Sequence, residues 1–356
     1  MQCFDRRMAA YLIDMAPSHN VTSSSLLSLP NELLLLIRDN FERWDLLAHA
    51  CYYQVHSRTE ACYARVDGME FWRHLIYHNG LRVGHPVEGP IEVVWREAAL
   101  EYAHHAWTCT HPACRRERLA TNRDHMQKAL SVWHRDHGDG IFVIDSTISI
   151  PLPDVESNDI FHYINFNRSF PRHDLDEETR RTLVGKCAFL RASPSVDDGW
   201  RTADLLEHHP IAQDSFASLP PINFLRITHD LFDEGAADCE FTHAEGVTVH
   251  DALTSLATLL DRRLTQDQVS DLVDREDPWG YVLQGNPSSF PSSWSEQDVM
   301  IGVRCVGHWF QLFRWTGFLF DCFDQKGIAA FISCEGKSLP AKVQTHVERY
   351  AYPRTD

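Results

Sequence analysis

The apolar positions change their spacing along the chain, and the changes mark its organisation. From Leu26 to about Trp133 they recur at helical intervals with few strand-like alternations, which predicts a mostly helical region. The first helix is expected to open at Leu29-Pro30-Asn31-Glu32-Leu33 and to run to about Phe41. Ser28 or Leu29 would cap it, and Pro30 would sit in the first turn, where its missing N–H has no partner to lose. Glu32 favours the positive end of the helix dipole. Leu33, Leu36 and Ile37 make one face while Leu34 and Leu35 cover the flanks, so the helix is apolar nearly all round and must be covered on more than one side. Asp45 is placed to N-cap a second short helix through Leu46 and Leu47. Further on, Phe71 to Leu75 belong to a helix that stops at Asn79-Gly80-Leu81, with Gly80 as its C-cap.

Between Gly138 and Phe166 the pattern turns β-rich, in Ile141–Ile144, Ile148–Ile150 and Phe161–Phe166. Residues 171 to 220 are charged and punctuated by Pro194, Pro210, Pro220 and Pro221, which reads as a connector with short helices. Thr248 opens a clear amphipathic helix: Val249, Leu253, Leu256, Ala257 and Leu260 share a face, and Thr248 with Asp251 resembles a capping box. The polar run Gln284–Ser295 reads as a loop, and Val303 to Phe320 as one or two strands with a turn near Gly307. The expected class is α+β, in six segments: a disordered lead-in 1–25, a helical pair 26–60, a helical linker region 61–137, a β-containing middle 138–220, an α+β domain 221–323 and a C-terminal extension 324–356.

Composition narrows the functional classes. The formal net charge is −17, with 11 basic against 20 acidic residues from Pro220 onward and 22 against 30 before it. Both halves are acidic, and nucleic acid is therefore not an expected partner. No stretch reaches the roughly 18 uncharged apolar residues of a membrane span, so no membrane contact is expected either. Met1 to Met15 is interrupted by Asp5, Arg6, Arg7 and Asp14, unlike the apolar core of a signal peptide. Ten cysteines without regular spacing then read as reduced thiols, which points to cytoplasm or nucleus, with the sequons at Asn20 and Asn167 unused.

The order Leu29-Pro30, Glu32, paired leucines, Ile37, then Asp45-Leu46-Leu47 and Ala50-Cys51 resembles the F-box family. The resemblance implies a protein-binding role without catalysis: docking to the Skp-type adaptor of a cullin ubiquitin ligase, with Leu29, Pro30, Leu33, Ile37, Leu46 and Leu47 as the docking surface and an unknown target protein held elsewhere. Gln54 stands where the family often has Trp, which motivates an alternative, a scaffold protein that no longer binds the ligase adaptor. Phe71-Trp72-Arg73-His74-Leu75 with Gly80 resembles the helix and glycine stop that follow the box in fungal members. A second resemblance covers Pro221 to about Phe320, through Glu245–Leu253, Leu264-Thr265, Gly302-Val303-Arg304 and Thr316-Gly317-Phe318. This part is similar to a fungal domain of unknown function. Trp309, Phe310, Phe313, Trp315, Phe318, Phe320 and Phe323 crowd its end, and the expectation is that they pack a core under a covering helix.

The densest set of metal-ligand types is His104-His105-Ala106-Trp107-Thr108-Cys109-Thr110-His111-Pro112-Ala113-Cys114. Zinc needs four ligands in a tetrahedron; the Cys109 to Cys114 spacing supplies two on one loop, a second pair is missing, and any further partner is a single residue such as His111, His125 or distant Cys187. The expected state is a loop with a buried thiol and solvated histidines; structural zinc, or a metal-assisted enzyme of unknown reaction on the same residues, is the alternative. Arg115, Arg116, Arg118, Arg123 and Lys128 read as the solvated face of a helix. Other chemistry fails on specific parts. His134-Arg135-Asp136 imitates a kinase catalytic loop, yet Ile141 stands where that motif needs Asn, and no phosphate loop, dinucleotide glycine fingerprint or nucleophile elbow occurs.

Overall fold

The computed structural model describes residues 26, 28–64, 68–83, 91–137, 141, 143–144, 155–166, 176–190, 204–228, 240–263, 265, 313–323 and 327–336. The expectations for the lead-in 1–25, for Ile148–Ile150, for the loop 284–295, and for Trp309 and Phe310 lie outside them. The chain divides into two compact units, Met1–Ile141 and Phe142–Asp356. The class is α+β, as the change of periodicity predicts. Among the described residues, no helix is long and apolar enough to cross a membrane.

The first unit is helical: α1 (Asn31–Asp39), α2 (Leu46–Val55), α3 (Ser57–Ala61), α4 (Gly68–His78), α5 (Ile91–Thr108) and α6 (Arg116–His137). The start of α1 differs from expectation by one step. Pro30 is its N-cap, with no side-chain cap, and the Pro30 carbonyl accepts the N–H groups of Leu33 and Leu34. Proline suits this place because its ring already holds φ near the −55° observed. Asp45 caps α2 as the sequence predicts, accepting from the Ala48 N–H at 3.0 Å. Helix α4 ends in a Schellman motif: Leu81 N–H donates to the Ile76 carbonyl and Gly80 N–H to that of Tyr77, which requires the positive φ of 73° at Gly80. A Cβ there would lie 3.0 Å from that of Asn122, so α6 passes close over the turn.

The core of this unit is aromatic as much as aliphatic. Leu34, Leu46, Ala50, Trp72, Leu75 and Ile76 are buried together with Tyr52 and Tyr63. His49 meets Phe41, Tyr63 and Phe71 edge-on. Its ring satisfies both nitrogens, on the Tyr63 hydroxyl at 2.9 Å and the Glu42 carbonyl at 3.2 Å. Burial holds the His49 pKa below the ordinary imidazole value, against hydrogen bonding and Asp45, which raise it. Burial likewise pushes the Tyr52 hydroxyl up to about 12, and that hydroxyl donates to the Leu34 carbonyl at 2.8 Å.

The second unit contains β1 (Glu156–Ser157), α7 (Ile160–Tyr163), β2 (Ile164–Phe166), α8 (Glu177–Cys187), β3 (Ala188–Leu190), β4 (Asp204–Leu205), a short 3-10 turn, α9 (Pro210–Asp214), β5 (Ser218–Leu219), β6 (Phe224–Thr228), β7 (Glu240–Thr242), α10 (Val249–Leu260), β8 (Phe313–Phe323) and β9 (Gly327–Gly336). Strands β2, β3 and β4 form one antiparallel sheet. A second sheet has the order β7-β6-β9-β8, antiparallel except for the β6–β9 pair. Strand β9 pairs with β6, so this sheet continues past the expected boundary at 323 into the expected extension. The segment Phe161–Phe166, read as a strand, is half helical turn: Asn158 turns its side chain to accept the Ile160 N–H and to donate to the Phe216 carbonyl, which starts α7.

Helix α10 bears out the capping box. Thr248 Oγ1 accepts the Asp251 N–H at 3.2 Å while Asp251 Oδ2 accepts the Thr248 N–H at 3.1 Å. Val249, Leu253, Leu256, Ala257 and Leu260 are all buried, as their shared face predicts.

Candidate functional site

Two places in the helical unit carry chemistry or surface beyond what folding needs. The first is α1. Leu33 and Leu36 are 43% and 56% exposed, and they are the large hydrophobic side chains left exposed among the described residues. They stand one turn apart on the outward face. Leu34 is fully buried and Leu35 and Ile37 are half-buried, so the covering expected on several sides is complete on one and partial on the flanks. Pro30 is exposed, and Leu29, Ile37 and Leu47 are half-buried around the same end of the hairpin. Leu46, expected on the docking surface, is instead fully buried. It is the first residue of α2, capped by Asp45, and that start turns its side chain into the core. Leu36, which was not among the expected docking residues, takes its place on the surface.

Besides the buried Leu34 and Leu46, two arginines fasten the α1–α3 segment. Arg58 donates to the Leu29 carbonyl at 2.8 Å and to Asn31 Oδ1 at 2.6 Å, and Arg38 donates to the Cys62 carbonyl. From α6, Arg123 reaches Glu42 at 3.3 Å and Asp45 at 3.6 Å, while Gln127 donates to Glu42 at 2.9 Å. The basic run of α6 therefore works partly inside the unit, and Arg118 is buried. Polar contacts thus position α1 while leaving its apolar outer face uncovered.

The second place is the turn from α5 into α6. Here His105, Cys109 and Cys114 each present one donor atom, and these atoms all lie within 4.8 Å of one another. Helical geometry explains half of this. His105 and Cys109 are four residues apart, and the Cys109 N–H still donates to the His105 carbonyl at 2.8 Å, so both project from one face at the end of α5. The turn that follows brings Cys114 back: its N–H donates to the His111 carbonyl at 3.0 Å. Arg115 closes the turn on the Thr110 carbonyl, and Arg116 lies over the Trp107 ring.

Of the expected candidates Cys109, His111 and Cys114, the structure brings the two cysteines together with His105, and His111 is not in this group. His111 is buried, and its Nδ1 accepts the Ala113 N–H at 3.1 Å, so its ring serves the turn itself. His125 is exposed on α6 and stands apart from the group. The usable signal was the i, i+4 pair His105 and Cys109, which a search for close Cys and His neighbours on one loop passes over. The buried thiol expected in this stretch is Cys114, whereas His111, expected to be solvated, is buried as well. Burial holds the His105 pKa below the ordinary value, assisted by neighbouring His104, which keeps the ring neutral near pH 7, the form that binds metals.

No family model, no curated protein and no solved structure matches this chain.

Proposed function

We propose that the protein is a docking adaptor: α1 and the start of α2 hold the Skp-type subunit of a cullin ubiquitin ligase, and the second unit holds a target protein. Its action is positional, with ubiquitin transfer done by the ligase. The observation that carries this reading is the exposed pair Leu33 and Leu36 on a helix whose sequence resembles an F-box. The chain keeps these leucines in water although one helical register away Leu34 is fully buried.

Magnitudes show what the surface must include. Fully burying a leucine contributes roughly 1.5–3 kcal/mol, so covering two that are about half exposed gives roughly 1 kcal/mol each. Association itself costs at least about 4 kcal/mol. The leucines therefore need the neighbouring apolar rim, and Leu29, Pro30, Ile37 and Leu47 supply it. Leu46 supports this surface from beneath.

The test is co-elution of the purified full chain with a Skp-type adaptor, run beside an established F-box protein as a positive control. Stable pairing is expected. Absence of pairing under conditions that retain the control overturns the reading.

A further inference from the structure

We propose that His105, Cys109 and Cys114 bind one zinc ion through an imidazole nitrogen and two thiolates, as a clip joining the end of α5 to the start of α6. The site is independent of the docking face on α1.

Geometry carries the assignment. Zinc bonds to sulfur at about 2.3 Å and to imidazole nitrogen at about 2.0–2.1 Å, so tetrahedral angles set the donors about 3.6–3.8 Å apart. The three donor atoms already lie within 4.8 Å of one another, and the ion would close each pair by about 1 Å at most. That shift is within the reach of a side-chain rotation, and the backbone needs no rearrangement.

The turn is built to hold this arrangement. The His111 N–H points at Cys109 Sγ, 3.4 Å away, a hydrogen bond that favours sulfur carrying negative charge. Ala113 N–H on His111 Nδ1, Cys114 N–H on the His111 carbonyl and Arg115 on the Thr110 carbonyl fix the loop between the two thiols. Three elements thus set the donors: the last turn of α5, a hydrogen-bonded connection and the residue leading into α6. Donor chemistry selects the ion. Two thiolates and an imidazole suit zinc, whereas magnesium and calcium prefer oxygen. Two thiolates also balance the charge of a divalent ion when the imidazole is neutral, so the site adds no net charge to a partly buried turn. Three protein donors leave one tetrahedral position for a water or another donor.

The experiment measures zinc in the full chain after loading with zinc and exhaustive dialysis, and maps thiol alkylation by mass spectrometry with and without zinc. About one zinc per chain is expected, with Cys109 and Cys114 protected from alkylation until a chelator is added. The variants His105→Ala, Cys109→Ser and Cys114→Ser should each lose the bound zinc. His111→Asn should keep it, because the Asn oxygen can still accept the N–H two residues on while the imidazole is gone. Loss of zinc in His111→Asn as complete as in Cys114→Ser would overturn the ligand set. Wild-type protein that binds no zinc, with the two thiols alkylated at the same rate in its presence and absence, overturns the site without reliance on any variant. A Cys109–Cys114 disulfide in protein that takes up no zinc after reduction does the same.

Discussion

Helices α1 and α10 have similar leucine content and opposite surroundings. In α10 ten of the twelve residues are buried, including Val249, Leu253, Leu256, Leu259 and Leu260, and the other two, His250 and Thr258, are half-buried. In α1 Leu34 alone is buried, while Leu33 and Leu36 face outward. Leucine density therefore does not decide whether a helix lies in a core. What differs is the fastening. Helix α10 is held by packing and by its capping box, whereas α1 is held at its base by Leu34 and at its edges by Arg58, Arg38 and the Tyr52 hydroxyl. A helix anchored by polar contacts can keep an apolar face for another molecule.

The largest test of this contrast removes buried leucines on each side. Leu253→Ala in α10 and Leu34→Ala in α1 should each destabilise by about 2–5 kcal/mol, read by urea unfolding of the full chain, since each leaves a cavity. A loss below about 1 kcal/mol at Leu34 would mean that α1 is not anchored through it. Next in size, Thr248→Ala deletes one half of the capping box and should lower stability by about 1 kcal/mol. An effect near zero would place the hold on α10 in its packing alone.

A smaller effect follows from pH. Burial lowers the His49 pKa from 6.5, so the unfolded chain takes up the proton first as pH falls. The folded form then loses stability below about pH 6.5 and is unaffected by this group well above it. His49→Gln should flatten that part of the stability curve, whereas an unchanged slope would assign the acid sensitivity elsewhere. The smallest expected change in stability is at the outward face: Leu33→Ala and Leu36→Ala should each stay within about 0.5 kcal/mol of wild type. A larger loss would show that these leucines pack against this chain.

How much of this was legible depended on the range of the physics involved. Local chemistry was readable: Asp45 as a cap, Gly80 as a helix stop and the Thr248–Asp251 box are each decided within a few residues. The phase of α1 was not, because five apolar residues from Leu33 to Ile37 leave no polar position to mark the outer side. Only tertiary contacts choose Leu34 and turn Leu36 outward. Leu46 was misplaced for a related reason, since a cap fixes where a helix starts and says nothing of which neighbour covers its first turn. The parallel pairing of β6 with β9 joins residues about a hundred positions apart, and no local pattern encodes it. At the donor cluster the residue types were visible, yet His105 entered through helical spacing and His111 left through its bond to the Ala113 N–H.

The docking reading rests on whether the exposed face of α1 is used. The direct measurement is co-elution with a Skp-type adaptor of the wild-type full chain and of the double variant Leu33→Asp with Leu36→Asp, with unfolding curves recorded for both. The account predicts that wild type pairs, that the double variant does not, and that the two unfold alike because both positions face water. Pairing that survives two aspartates on this face, or a wild-type chain that never pairs, contradicts it.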